Sequence, residues 1–400
     1  MLIPLLIFCG TYFVLAIGRL PGLRIDRTGA AIIGAALMIG SNVLTVEEAY
    51  RAIDYDTIIL LFGMMIVVAN LRLSGFFRAV SAWVVERAHR PLLLLAAVVG
   101  VSGFFSALFV NDTMCLVLTP LVLDIALALK RNPVPYLLAV AMGANIGSTA
   151  TITGNPQNMM IGSFSRIPYG EFAAALAPVA AVGLALTVVV IAAVYWKEFR
   201  SEERVEIEPP RIRINRVLLV KSLAVAAAML VFFFLGLPVS KVALVAGALL
   251  LITRRVKPEK VYHEIDWRLL VMFIGLFIVV AGIEKTSLSH DLFAFAQQFG
   301  LGRTAVLSAA SALLSNVVSN VPAVLVFKPL IPHLPDARHA WLTLAMSSTL
   351  AGNLTVLGSV ANLIVVERSR GQVSIGFWEY FKAGAPLTVL SMAAGVLFLR

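Results

Sequence analysis

The sequence predicts an all-α polytopic membrane protein built as an inverted repeat, with five transmembrane spans in each of its two halves. It also predicts two re-entrant helical hairpins and two broken helices. The composition is the first reason. Of 400 residues, 60% are hydrophobic and 14% are charged, whereas a soluble domain averages about 25% charged residues. The second reason is that segments in the second half of the chain match segments in the first half, in the same order.

Roughly ten apolar segments are long enough to cross a bilayer, which takes about 20 helical residues. The first has neither a basic n-region nor a cleavage site, so we interpret it as a span rather than a signal peptide. Two further segments, 91–130 and 304–333, are predicted to be hairpins that enter and leave on one side. The predicted spans are 2–18, 29–45, 57–71, 134–163, 171–196, 217–236, 239–253, 267–283, 339–366 and 375–398.

Basic residues are concentrated in one of the two sets of loops that this assignment creates. One set holds 21 Lys and Arg residues and the other holds six. Because cytoplasmic loops carry the excess of Lys and Arg, we expect both termini to lie outside. The expected location is a bacterial inner (plasma) membrane, and the net charge of +10 needs no nucleic-acid partner to explain it.

Three pairs of segments correspond between the two halves. Since each half has five spans, an odd number, the second half is expected to be inserted upside down relative to the first. Residues 1–196 then form the first inverted repeat and 217–400 the second, joined by a cytoplasmic linker, 197–216. The pairs are FGMMIVVANL (62–71) with IGLFIVVAGI (274–283), VNDTMCLVLTPL (110–121) with SNVPAVLVFKPL (319–330), and GNPQNMMI (154–161) with GSVANLIV (358–365), at offsets of 212, 209 and 204.

Two spans, 134–163 and 339–366, carry polar residues and helix breakers in their middle. Pro156 removes a backbone donor, and irregular backbone survives at membrane depth only when it is buried in protein or lines a wet cavity. Both spans are therefore predicted to be broken near the bilayer midplane, where their polar side chains form a substrate or ion site. Those side chains are Asn145, Ser148, Thr149, Thr151, Asn155, Asn158, Asn353, Thr355, Ser359 and Asn362.

The hairpin tips supply further candidates. The first tip reads Asn111-Asp112-Thr113, and Ser319 and Asn320 hold the matching place in the second. Asn and Thr at such a tip can cap the returning helix, and a cap can also take part in an anion site.

Asp112 is the candidate for proton coupling. A carboxylate at membrane depth is unfavourable by a few kcal/mol, so such residues usually mark an ion or proton path. The equivalent position in the second half is Val321, so the charge is not required by the repeat. The alternative is an Asp paired locally with Asn or Thr.

Lys328 is the second charge predicted to lie within the membrane. It has three open interpretations: neutralising Asp112, holding an anion, or reaching the membrane surface along its aliphatic stem.

The sequence does not support a disulfide framework, a metal site, nucleotide binding or catalysis. Cys9 and Cys115 make neither a disulfide framework nor a metal cluster, and the five His residues lack metal-ligand spacing. There is no P-loop and no nucleophile–base arrangement. We expect a protein that is not an enzyme, with no cofactor and no metal.

The hairpin motifs (NDT and SNVP) and the broken-span motifs (GSTATITGNPQN and GNLTVLGSVANL) resemble the ion transporter superfamily over essentially the full length. Its members include arsenite efflux permeases of the ArsB type, citrate and dicarboxylate carriers and NhaD-type sodium/proton antiporters. The resemblance implies a scaffold region and a transport region, a homodimer, and elevator-type alternating access. It also implies a substrate-and-coupling role for Asn111, Asp112, Thr113, Asn320 and the broken-span polar residues.

The residues at the hairpin tips differ between members of this superfamily. In the carboxylate carriers both tips read Ser-Asn-Thr and help to form sodium and carboxylate sites, whereas an Asn-Asp pair is more similar to the arsenite permeases, which exchange arsenite for protons. The leading expectation is therefore proton-coupled efflux of arsenite or antimonite. The alternatives are a sodium- or proton-coupled anion or dicarboxylate carrier, a sodium/proton antiporter, and a channel subunit that works with a cytoplasmic ATPase.

Overall fold

The computed structural model describes residues 2–18, 25–87, 90–200, 214–286 and 300–399, and within these ranges the ordered elements are helices. Most of the predicted linker, 201–213, lies outside them. The first half contains α1 (Leu2–Ile17), α2 (Arg27–Gly40), α3 (Val46–Ala52), α4 (Tyr55–Ser74), α5 (Phe76–Arg87), α6 (Pro91–Leu108), α7 (Asn111–Ala128), α8 (Pro133–Ser148), α9 (Pro156–Ser165) and α10 (Tyr169–Val194).

After the short helix α11 (Trp196–Phe199), the described part of the second half contains nine helices. Of the helices in the described ranges, seven are long and apolar enough to cross a membrane: Tyr55–Ser74, Pro91–Leu108, Asn111–Ala128, Tyr169–Val194, Arg216–Phe234, Trp267–Glu284 and Phe377–Phe398. The second-half helices are α12 (Arg216–Phe234), α13 (Val239–Leu251), α14 (Pro258–Tyr262), α15 (Trp267–Glu284), α16 (Thr304–Val318), α17 (Asn320–Phe327), α18 (Ala337–Ala351), α19 (Val360–Ser369) and α20 (Phe377–Phe398).

Both predicted breaks are present. Helix α8 ends at Ser148 and α9 begins at Pro156, with a single 3-10 turn between them. In the same way α18 ends at Ala351 and α19 begins at Val360. The flanking residues Thr151 (φ −141°, ψ 163°) and Thr355 (φ −136°, ψ 163°), 204 positions apart, have nearly the same backbone conformation. The two breaks are therefore local structural repeats.

Each hairpin segment forms two helices with a short connection. Helices α6 and α7 are joined through Phe109 and Val110. Helices α16 and α17 are joined at Ser319, whose φ of 78° lies in the left-handed region that non-glycine residues seldom adopt. This conformation turns the chain sharply enough for α17 to begin at the next residue.

Several helix contacts come in matched pairs, some of them between the two halves and some within one half. Helix α2 packs on α15 as α13 packs on α4, α6 packs on α8 as α16 packs on α18, and α10 packs on α20. Helix α7 contacts α19, and α17 contacts α9. Each hairpin therefore touches the broken segment of the opposite half, which brings both tips and both breaks to one place.

Small residues set two of these matched contacts. A Cβ on Gly63 would lie 2.5 Å from the carbonyl carbon of Ala243, and a Cβ on Gly275 would lie 2.7 Å from that of Ala31. The positions in the two contacts differ by 212, the offset of the first pair of repeated segments. Without a hydrophobic drive between helices in lipid, such close backbone approach is a main source of helix association.

We expect Gly63→Ala and Gly275→Ala each to lower the free energy of unfolding by about 1–3 kcal/mol, because the added methyl group meets backbone atoms. Gly100→Ala in α6 is the matched control, since no atom lies within 4 Å of its added Cβ. The measurement is the thermal unfolding temperature of the purified variants in detergent. Equal temperatures for all three variants would contradict the close packing of these helix pairs.

Candidate functional site

A cavity of about 600 Å³ lies where the hairpin tips and the breaks meet. The four helices that begin at the tips and after the breaks contribute residues from their N-terminal ends: α7 through Asn111 and Asp112, α9 through Pro156 and Gln157, and α17 and α19 through their first residues. The first N–H groups of a helix have no partner within it, so a helix N-terminus carries partial positive charge and favours electron-rich groups. These four ends, together with those of α2 and α15, surround this cavity.

Charged side chains bound the cavity on its solvent-exposed side. We call this set the charged rim, and all of its members except the half-buried Arg27 are exposed. The rim carries three guanidinium and three carboxylate groups. Its members are Asp26, Arg27, Asp266, Arg268, Glu367 and Arg370.

Asn145, which is fully buried, connects the two halves at the centre of the site. Its Nδ2 donates to Asn353 Oδ1 and to Asn362 Oδ1, both at 2.9 Å. Its Oδ1 accepts from Asn111 Nδ2 and from Ser359 Oγ, both at 3.1 Å. One amide thus links the first tip and the first break to the second break.

A second network occupies the position related to the first by the repeat. Thr349, which lies 204 positions after Asn145, accepts from Asn155 Nδ2 and from Gln157 Nε2, both at 3.2 Å. The Asn320 amide, oriented with its nitrogen towards the carbonyl oxygens of Ser348 and Gly358, donates to both and accepts from Gln157 Nε2 at 3.2 Å. Gln157 therefore connects the second tip to the first break.

Two of the predicted site residues satisfy the carbonyl groups that the breaks set free. Asn158 Nδ2 donates to the carbonyl oxygens of Ser148 (3.1 Å) and Thr151 (3.0 Å). Asn362 Nδ2 makes the same two contacts at an offset of 204, to Gly352 (2.7 Å) and Thr355 (3.0 Å). These amides hold the broken backbone in place.

The N-termini of the helices after the breaks are capped in the same manner. Asn155 Oδ1 accepts from the backbone N–H of Asn158 (2.8 Å), and Ser359 Oγ accepts from that of Ala361 (3.2 Å). Capping satisfies one of the free first-turn donors of each helix.

The remaining predicted side chains divide into two groups. Ser148 and Thr149 donate to the carbonyl oxygen of Asn145, Thr151 donates to that of Ala107, and Thr355 donates to Asn316 Oδ1. None of these four hydroxyls lines the cavity, and neither does Thr113. The predicted residues that do line it are Asn111, Asp112, Ser319, Asn320 and Ser359.

Two contributors, Gln157 and Thr349, were missed by sequence reasoning. Gln157 stands in the GNPQN motif between Asn155 and Asn158, and its place directly after Pro156, at the start of a helix, could have indicated it. Thr349 could have been found by adding the repeat offset of 204 to Asn145.

Asp112 lines the cavity beside Asn111 and is half-buried. Within the described part of the chain, no side chain forms a hydrogen bond or ion pair with its carboxylate. The neighbouring Asn111 Oδ1 is buried and has no partner among the same residues. The carboxylate of Asp112 is therefore available at the cavity to hydroxyl donors or to a proton.

Lys328 pairs with Glu284 in this structure, rather than with Asp112. Its Nζ lies 3.1 Å from Glu284 Oε1 and 5.2 Å from the centre of the Phe164 ring. Both charged side chains are 30% exposed. The pair ties the end of α17 to the end of α15, and Lys328 does not line the cavity.

The site can hold a small solute that both donates and accepts hydrogen bonds. Amides, hydroxyls and helix N-termini bind oxygen atoms, and the Asp112 carboxylate can accept a hydroxyl donor or exchange a proton. The cationic side chains of the cavity all belong to the charged rim.

Comparisons with known proteins agree on the class of protein. A family model described as a citrate transporter (CitMHS) matches residues 12–351. A silicon efflux transporter of rice, LSI3, is 32% identical over 462 residues, covering 97% of this chain and 95% of the relative. An uncharacterized transporter of Mycobacterium bovis is 30% identical and covers 97% and 96%. A putative transporter of Dictyostelium discoideum, arsB, is 24% identical and covers 94% and 87%.

A solved structure shares the fold. The YdaH transporter of Alcanivorax borkumensis superimposes with a TM-score of 0.61, covering 100% of this chain and 96% of that one. At 14% sequence identity the similarity speaks for the fold alone.

We expect Asn145→Ala to lower the free energy of unfolding by about 3 kcal/mol or more, since four buried groups lose a hydrogen-bond partner together. Asn70→Ala is the control: this equally buried amide makes a single bond, to the carbonyl oxygen of Ile66 in its own helix. The unfolding temperatures of the two purified variants give the comparison. A loss at Asn145 no greater than at Asn70 would contradict its central place in the network.

Proposed function

Because this chain belongs to the citrate transporter (CitMHS) family of multi-pass membrane transporters, we propose that it is a secondary transporter of a small hydroxylated inorganic solute. Arsenite or antimonite is the first candidate, exported in exchange for protons. The family consists of transporters, and the chain is accordingly not an enzyme.

The observation that carries this proposal is a cavity lined by amide side chains and by the carboxylate of Asp112. Among the described side chains, that carboxylate has no hydrogen-bond or ion-pair partner. Arsenite near neutral pH is mostly a neutral trihydroxide, with donors and acceptors on every side. Asn111, Ser359 and the helix N-termini suit its oxygen atoms, and the carboxylate of Asp112 suits its hydroxyl hydrogens. A trianion such as citrate would meet that carboxylate as a like charge.

The identity of one relative supports the same solute class. The rice relative is described as a silicon efflux transporter, and silicic acid is also a neutral, hydroxyl-covered acid in neutral water. A cavity that recognises hydroxyl groups rather than net charge would serve either solute. Silicic acid is therefore the second solute to test within this class.

Asp112 is the proposed coupling group. It would take a proton from outside when the cavity opens there, and release it to the cytoplasm when the cavity opens inward. The solute would move in the opposite sense, so that the inward proton gradient drives export. A single ionisable group at the solute cavity is the minimum that such an exchange requires.

The second candidate function is a sodium- or proton-coupled carrier of carboxylates. The four helix N-termini and the three arginines of the charged rim favour it, because both attract anions, and the family name points the same way. A sodium/proton antiporter, in which Asp112 binds the cation directly, is a further alternative.

The architecture proposed for transport is an inverted repeat that works as an elevator. The hairpins α6–α7 and α16–α17 would be re-entrant, and they would move with the broken helices against a scaffold that forms a homodimer. The charged rim belongs to the loops richest in Lys and Arg, so the structure would be open to the cytoplasm, with both termini outside a bacterial inner membrane. A cytoplasmic ATPase subunit remains a proposed optional partner.

Cells without their own arsenite efflux system provide the first test. Expression of the protein should lower internal arsenite and raise resistance, whereas Asp112→Asn should return both to the level of cells without the protein. Asp124→Asn is the matched control, because this exposed carboxylate lies on the same helix, away from the cavity. Full export by the Asp112 variant would rule out the coupling role of this carboxylate.

Solute competition in inside-out vesicles separates the two candidate functions. Proton-driven arsenite uptake should be inhibited by antimonite and by silicic acid, left unchanged by citrate, and lost when the proton gradient is collapsed. Inhibition by citrate together with stimulation by sodium would favour the carboxylate carrier instead.

A further inference from the structure

We call the charged rim the open side of the cavity, and the side where α9 ends the closed side. Two positions on the closed side have counterparts on the open side. Asp54 directly precedes α4 and Asp266 directly precedes α15, with an offset of 212; Ser163 lies in the last turn of α9 and Glu367 in that of α19, with an offset of 204. These are the offsets of the repeated segments that contain the same helices. The contact between positions 54 and 163 can therefore be compared with that between 266 and 367.

On the closed side the first pair is in contact. Ser163 Oγ donates to Asp54 Oδ1 at 2.9 Å. The next residue, Phe164, packs its ring on Phe277 (6.4 Å between centroids) and on Trp341 (6.1 Å). The end of α9 is thus tied to α4 and covered by aromatic rings.

On the open side the second pair is apart, and both of its members belong to the charged rim. Asp266 accepts from the backbone N–H of Leu269 at 3.1 Å. No side chain in the described ranges lies within ion-pair distance of Asp266 or Glu367. If the open side closed in the same way, Asp266 and Glu367 would come into contact, as Asp54 and Ser163 do on the closed side.

Three arginines also line the cavity, and in the described ranges none of them forms an ion pair with Asp266 or Glu367. Arg268 corresponds to Asp56, which accepts from Ser240 Oγ of α13 at 2.5 Å, and the carbonyl of Arg268 accepts from Thr28 of α2. The backbone at this position therefore contacts α2, and the side chain at the equivalent position contacts α13, while the Arg268 side chain is exposed.

Neither of the other two arginines is held between the carboxylates. Arg27 Nε donates to the carbonyl oxygen of Leu15. Arg370 corresponds to Arg166, which follows α9 in a left-handed conformation and makes no ion pair with Asp54. The remaining rim and cavity carboxylates, Asp26 and Asp112, would add negative charge.

We propose that Asp266 and Glu367 form the gate that closes the charged rim, and that closing takes up one proton, which the two carboxyl groups then share in an O–H···O hydrogen bond. Two carboxylates in contact cannot both remain ionised. The proton comes from the solution at the rim and returns there on reopening. It therefore makes the open–closed equilibrium of the rim depend on pH and leaves the transport stoichiometry unaltered.

This gate rests on the proposed alternation between an open and a closed rim, and its test uses no solute, so its failure is distinct from a wrong solute. A cysteine is placed on the cavity wall by Ile364→Cys in a Cys9→Ser background, in which Cys115 is buried. The labelling rate of the purified protein with a maleimide then reports how open the rim is. The exposed position Ser374→Cys corrects for the effect of pH on thiol reactivity.

We expect the corrected labelling rate at position 364 to fall roughly tenfold between about pH 8 and about pH 5, the range over which a paired carboxylate takes up its proton. Glu367→Gln and Asp266→Asn should each label slowly at both pH values, because an amide replaces the shared proton. Arg370→Gln should keep the pH dependence.

Two results would overturn the gate. One is a corrected rate in the parent protein that does not change with pH, which would mean that a guanidinium bridges the carboxylates. The other is fast labelling of both amide variants at high pH. Because the two variants alter different helices, a folding defect in one leaves the other as the test, and size-exclusion profiles identify such a defect.

Discussion

The need to satisfy peptide groups at membrane depth is the constraint on which the rest of this structure depends. Breaking a helix frees carbonyl and N–H groups that lipid cannot satisfy. The protein meets this requirement with one asparagine per break, Asn158 and Asn362, each of which bonds two freed carbonyls. With the carbonyls satisfied, the N–H groups of the following helices remain turned towards the cavity. The cavity at the breaks thus depends on how the broken backbone is stabilised.

Matched positions in the two halves have similar places in the backbone, while several of their side chains differ. Equivalent positions carry Asn145 and Thr349, Asp112 and Val321, and Ser163 and Glu367. In each pair the backbone has a similar place, while the side chain differs in charge or in the number of hydrogen bonds that it can make.

The two charges predicted to lie within the membrane, Lys328 and Asp112, have different surroundings. Lys328 contacts Glu284 and the ring of Phe164, does not line the cavity, and so holds α17 against α15. Asp112 has no such partner among the described residues and lies on the cavity wall. An ionisable group without a fixed counter-charge can change its protonation at little structural expense, which is what a coupling residue requires.

The sequence by itself determined the membrane class, the superfamily and the location of both breaks, because composition and local motifs such as Pro156 in GNPQN act through short-range chemistry. It also identified Asn111, Asp112, Asn320 and Ser359 as site residues, and all four line the cavity. Only the tertiary structure decided that Asn158 and Asn362 serve the backbone, that Gln157 and Thr349 join the network, and that Lys328 pairs with Glu284. Those outcomes depend on which groups from distant parts of the chain meet in space, and a side chain's identity does not specify its partner.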